Sequence, residues 1–185
     1  MNREKIILLI IVIVAVLFFF RKRIEWVIYD LQEYYWISNS LTWDVNRKLK
    51  WSDFIYDSDK KYADNIYARV GISQRYHIGD AIEFRSTTLF LPDKSFVTDT
   101  TNRKGLRIAQ ARFDLCEVYR RKLENKVEKL RKKVFEVTPD TLKKYNEIYY
   151  DKFEMEWSNF MDLQYAEVEK GLIDLEAKIK KELKN

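Results

Sequence analysis

His77 is the only histidine in this sequence and Cys116 the only cysteine. A zinc site draws three or four ligands from His, Cys, Asp and Glu, so a centre with several His and Cys ligands is excluded. One cysteine cannot form a disulfide within the chain and says little about redox compartment. The four glycines supply neither a G-x-G-x-x-G nor a P-loop signature, so phosphate cradles of those kinds are absent. Ser95 and Cys116 are poor nucleophiles, because each would need an activating base. Cys116 also falls on an apolar stripe, which suits a buried and inert thiol. His77 sits in a strand-like run beside Tyr76, without a second His or Cys to share a metal.

The remaining chemistry is charge. The 185 residues are 34% charged, 46% hydrophobic and 15% aromatic, a composition that folds. The net charge of +5 does not by itself point to nucleic acid. Residues 120–133 hold eight cations (Arg120, Arg121, Lys122, Lys126, Lys129, Arg131, Lys132, Lys133) against Glu124 and Glu128, a net +6. Residues 139–185 carry a net −3. An antiparallel helix pair with complementary faces explains both. The functional alternative is a contact with anionic lipid or RNA through the basic run. Aromatic residues are not interleaved there, which weighs against single-stranded nucleic acid.

The elements that must carry these residues divide into an anchor and a body. Ile6 to Phe20 is uninterrupted apolar sequence, with Arg3 and Lys5 before it and Arg21, Lys22 and Arg23 after it. Fifteen helical residues span about 22 Å, short of the roughly 30 Å hydrocarbon core. Snorkelling of Lys5 and Arg21, with Trp26 and Tyr29 at the interface, closes the gap. Phe18, Phe19 and Phe20 run straight into Arg21, without the small residues of a signal-peptidase site. Residues 1–23 therefore read as an uncleaved single-span anchor, 24–48 as a juxtamembrane or extended segment, and 49–185 as one domain.

Within the body, Leu41 to Phe54 reads as a strand or extended arm. Ile66 to His77 and Ala81 to Leu91 read as a hairpin turning at Gly79-Asp80. From Leu106, apolar residues at three- and four-residue steps predict a long helix, with one break near Arg120. Thr138 suits an N-cap and Pro139 a first helical turn. A second helical region then runs to Leu183, with Gly171 as its candidate interruption. The fold class is α+β: a small antiparallel sheet on a long helix, then a C-terminal helical region.

Several segments together resemble the DUF922 family, predicted zinc-dependent proteases of bacteria. Leu49-Lys50-Trp51-Ser52-Asp53-Phe54 is similar to the family's "L-x-W-x-D-F" opening. Gly71-Ile72-Ser73 and Ser95-Phe96-Val97 resemble its later strand segments. Leu106 to Leu123 resembles its central helix, sharing Leu106, Gln110, Phe113, Asp114, Glu117 and Arg121-Lys122-Leu123. Glu167 to Gly171 resembles a later "E-T-x-H-G". The resemblance covers about Leu49 to Leu183.

The departures fall on the chemistry. In H-E-x-x-H, histidines four apart project from one helix face onto one metal, and the glutamate is the general base. Here Ile108 and Arg112 stand at the histidine positions, Ala109 at the base and Lys170 at a later histidine. Arg112 cannot lose its proton near neutral pH and would repel a metal cation. The resemblance thus implies a metalloprotease-like domain without catalytic residues, metal or cofactor. Gln110, Asp114, Glu117 and Glu167 are its candidate pocket residues. Arg112 or Lys170 is expected to pair with Asp114, Glu117 or Glu167 in place of the metal. The expected role is a binding or scaffolding module for a protein or peptide at a membrane surface. The resemblance favours the exported side, although the Lys/Arg count leans the other way. The rival readings are a helical assembly module that oligomerises and the basic-helix binder.

Overall fold

A computed structural model describes residues 6, 18–20, 27–57, 59, 65–78, 81–131 and 137–184. Most of the expected anchor lies outside these residues, as do Gly79, Asp80, Lys132 and Lys133. Among the described residues no helix is long and apolar enough to cross a membrane.

The chain divides into two units, Met1–Ser38 and Asn39–Asn185. The described part of the first includes a helix over residues 27–38 (α1). Its large apolar and aromatic side chains are exposed: Val27, Ile28, Tyr29, Leu31, Tyr34, Tyr35 and Trp36. It has no buried stripe of the kind that fixes an amphipathic helix on a core.

The second unit is α+β. Strands β1 (Leu41–Thr42), β4 (Val70–Ile78) and β5 (Ile82–Phe90) form an antiparallel sheet in the order β1-β5-β4. Strands β2 (Ile55–Tyr56), β3 (Ile66–Tyr67) and β6 (Phe96–Val97) form a small second sheet, with β6 between a parallel β2 and an antiparallel β3. The β4–β5 pairing runs from Val70 with Phe90 to Ile78 with Ile82. Burial alternates over the first half of β5: Ile82 and Phe84 are buried while Glu83 and Arg85 are exposed. From Thr88 to Phe90 every residue is buried, because β1 pairs there and the arm crosses above.

The expected strand over Leu41 to Phe54 is corrected. Only Leu41 and Thr42 pair, and Trp51–Asp53 forms a 3-10 turn. Asp53 Oδ2 accepts the Lys50 amide at 2.8 Å, which caps that turn. Beyond Trp43, whose amide still donates to the Thr88 carbonyl at 3.0 Å, the segment is an arm held by side chains.

Helix α2 (Arg103–Leu130) starts at Asn102, whose side chain accepts the Gly105 amide. Its buried positions nearly encircle it, as befits a helix covered on both sides. Phe90, Phe113 and Phe153 are wholly buried in the larger core cluster, each contributing about 2 kcal/mol by area. Ile82, Phe84, Leu123, Val127 and Leu142 form a second cluster, under the hairpin tip.

Helix α3 (Pro139–Met161) begins as expected: Thr138 Oγ1 accepts the Thr141 amide at 3.2 Å, and Pro139 opens the first turn. Helix α4 (Val168–Lys184) follows a turn at 162–167. Gly171 does not interrupt the helical region; it lies inside α4. A Cβ there would collide with Leu163 Cδ1, so its absence lets the turn fold back onto the helix. Contacts of Arg112 with Glu154 and Lys126 with Tyr145 run α3 antiparallel to α2. Contacts of Arg107 with Glu169 and Lys122 with Glu182 run α4 parallel to it.

Candidate functional site

The register at which the resemblance places a metal is the first half of α2. Ile108 and Ala109 are buried in the main core cluster. Arg112 is only 11% exposed and pairs with Glu154 of α3, itself 35% exposed. Its Nη2 donates to both Glu154 oxygens, at 3.0 and 3.2 Å. Its guanidinium carbon lies 5.2 Å from the Trp157 ring, 5.8 Å from Phe153 and 6.0 Å from Tyr67. Such ring faces attract a cation. Arg112 Nε is buried without an acceptor.

The expected partners are therefore wrong, and helix geometry gives the reason. At about 100° per residue, Asp114 points roughly 200° and Glu117 about 140° away from Arg112. These carboxylates face the arm and the sheet, whereas Arg112 faces α3. Glu167 lies exposed in the turn before α4, where its carbonyl accepts the Gly171 amide at 2.8 Å. Lys170 is exposed on the first turn of α4 and makes no ion pair among the described residues. The pocket residues do not converge on one place.

Gln110, Asp114 and Glu117 instead form a polar stripe that pins the arm and the sheet. Gln110 Oε1 accepts the Leu49 amide at 2.8 Å, and its Nε2 donates to Asp114 Oδ1 at 2.8 Å. Trp43 Nε1 donates to the same oxygen at 2.8 Å. Burial raises the Asp114 carboxyl above the usual range, despite these two donors.

Glu117 is 3% exposed and central to a larger network. Its oxygens accept Arg120 Nε at 2.7 Å and Nη2 at 2.8 Å, Arg121 Nε at 2.8 Å and Thr88 Oγ1 at 2.9 Å. Burial alone would raise this carboxyl, but the Arg120 and Arg121 guanidiniums outweigh burial and hold it below the usual range. Arg120 also reaches Glu124 and the Ser86 hydroxyl, joining α2 to β5. The break in the apolar spacing near Arg120 marks where this network enters the core.

Among the described residues, most cations of the basic run are engaged within the fold. Arg120 and Arg121 share Glu117, and Arg121 also donates to the Leu183 carbonyl at 2.8 Å. Lys122 pairs with Glu182 and lies 4.6 Å from the Tyr119 ring centre. Lys126 lies 4.7 Å from the Tyr145 ring centre, and Arg131 pairs with Glu128. Lys129 is exposed. Arg120, Arg121 and Lys122 thus do not present the free anionic-surface contact considered from sequence. Among the ion pairs of the described residues only Lys122–Glu182 joins the basic run to another helix, and that helix, α4, is parallel to α2 rather than antiparallel; the other pairs lie within α2 and its C-cap.

His77 lies on β4 opposite Glu83, with its side chain exposed. Cys116 is fully buried, and burial pushes its thiol well above the usual range. Among the described residues no group of three or more His, Cys, Asp or Glu side chains stands where it could hold a metal ion.

Glu154, Trp157, Tyr67 and Arg69 were not legible as site residues. They come from α3, from β3 and from the link between β3 and β4, and no spacing in the sequence ties them to Arg112. No protein-family model, no curated protein and no solved structure matches the chain.

Proposed function

We propose that this chain is a membrane-tethered, non-catalytic module that binds a protein or peptide on the exported side of the membrane. The carrying observation is Arg112, a nearly buried cation paired with Glu154 at a register where the resemblance would place a metal ligand. Ile108 and Ala109 beside it are core residues with no group to bind a metal or move a proton. The polar stripe on the opposite side of α2 secures the arm and sheet, which leaves its carboxylates engaged in structure. The uninterrupted apolar run Ile6 to Phe20 supports the tether. The exposed Tyr and Trp side chains of α1 suit the headgroup region, where amphipathic rings concentrate.

Two assays test the reading on the full-length chain. Expressed in bacteria, it should stay in the membrane pellet after carbonate washing and enter solution only with detergent. The purified chain should leave casein intact with or without added zinc. Release by carbonate would remove the tether, and chelator-sensitive cleavage of casein would remove the non-catalytic assignment.

A further inference from the structure

Two guanidiniums and one carboxylate meet where β3 leads into β4 and α2 faces α3. Among the described residues Arg112 donates only through Nη2, although a guanidinium carries five N–H donors in a fork matched to a carboxylate. Its Nε is buried and unpartnered, a state that calls for an explanation. Arg69 is exposed and donates from Nη1 to the Tyr67 hydroxyl at a long 3.4 Å. It makes no ion pair among the described residues.

The backbone of Arg69 is nevertheless fixed. Its amide donates to the buried Ser95 Oγ at 2.9 Å, and its carbonyl accepts the Leu91 amide at 2.9 Å. Tyr67 links the two arginines, offering its hydroxyl to Arg69 and its ring to Arg112. Tyr150 lies beside Glu154, and burial first, then that carboxylate, pushes its phenol up to about 12. Its hydroxyl donates to Glu154, so that carboxylate is engaged by Tyr150 as well as by Arg112. Among the described residues the cluster holds one positive charge more than its carboxylate balances, against ring faces with few acceptors.

We propose that Arg69 and Arg112, linked through Tyr67, bind a carboxylate presented by an acidic peptide. The excess of one charge matches a monoanion. A phosphate dianion would bring a second negative charge against Glu154, which is already committed to Arg112. A planar carboxylate also fits the guanidinium fork. This deepens the binding-module reading and rests on it for a biological partner.

The test is a titration of the full-length chain in detergent, read by tryptophan fluorescence, since Trp157 lies against Arg112. The probe is an acetylated, amidated tetraglutamate peptide, with tetraglutamine as control and inorganic phosphate as competitor. Tetraglutamate should bind saturably and tetraglutamine should not. Arg69→Gln should weaken binding about tenfold or more, the loss expected for one charge-assisted hydrogen bond. Arg69→Lys should fall between the two. Glu154→Gln should tighten binding, because it raises the excess charge. Equal binding of tetraglutamine, unchanged affinity in Arg69→Gln, weaker binding in Glu154→Gln, or displacement by equimolar phosphate would each overturn the proposal. A chain that cleaved casein yet bound tetraglutamate would sink the non-catalytic reading alone. An inert chain that ignored the peptide would sink this site alone.

Discussion

Replacing Glu117 with glutamine should cost about 3 kcal/mol of stability. The carboxylate accepts four hydrogen bonds and is 3% exposed, so water cannot substitute for it. Glutamine keeps one oxygen and turns an NH2 toward donors that the other oxygen served. Breaking a buried ion pair from one side costs about 3–5 kcal/mol. Two features reduce that figure. Arg120 retains Glu124 at 2.7 Å, and Arg121 is 36% exposed and can rehydrate. Urea unfolding of the purified full chain should show a lower midpoint with an unchanged slope. The pH dependence adds a second reading. Glu117 titrates below the ordinary glutamate value in the fold, so the unfolded chain takes up its proton first on acidification. Its stabilisation is fully present above the ordinary value of about 4.5 and is lost as pH falls through the depressed one. Glu117→Gln should therefore flatten the acid limb of the stability profile. A loss below about 1 kcal/mol at neutral pH, or an acid limb as steep as in the parent, would refute the network's role.

Other substitutions separate strain from support. Arg112→Met should cost less than about 1 kcal/mol, because Glu154 can rehydrate and methionine suits the ring cage. Glu154→Ala should cost about 2 kcal/mol, because it strands a nearly buried guanidinium; the opposite order in thermal melts would contradict the ion-pair account. Gly171→Ala should fail to give the roughly 1 kcal/mol of helix propensity that alanine normally adds. The gain should reappear when Leu163→Ala removes the obstructing methyl, and a gain in both backgrounds would contradict the close approach. Cys116 should stay unmodified by Ellman's reagent in the native chain and react fully in urea, with rapid native labelling arguing against its burial.

Local signals carried much of the fold. The alternation of Ile82 with Glu83 and Phe84 with Arg85 located β5, and Thr138-Pro139 located the start of α3, because caps and alternation act over a few residues. Tertiary decisions were hidden. Trp43 and Leu49 hold the arm by hydrogen bonds to Asp114 and Gln110, 71 and 61 residues away, so strand propensity there was misleading. Gly171 looked like a break because glycine usually weakens a helix, yet steric contact with Leu163 makes it the residue that fits. Helical spacing alone would have placed Arg112 away from Asp114 and Glu117. Its actual partner, Glu154, required knowing which face of α3 packs on α2.

The most direct test of the central claim is the zinc content of the purified full-length chain, measured by mass spectrometry after growth with ample zinc. With Ile108 and Ala109 packed in the core and Arg112 bound to Glu154, far less than one zinc per chain is predicted. One tightly held zinc per chain, lost on chelation with a change in the near-UV spectrum, would contradict the account.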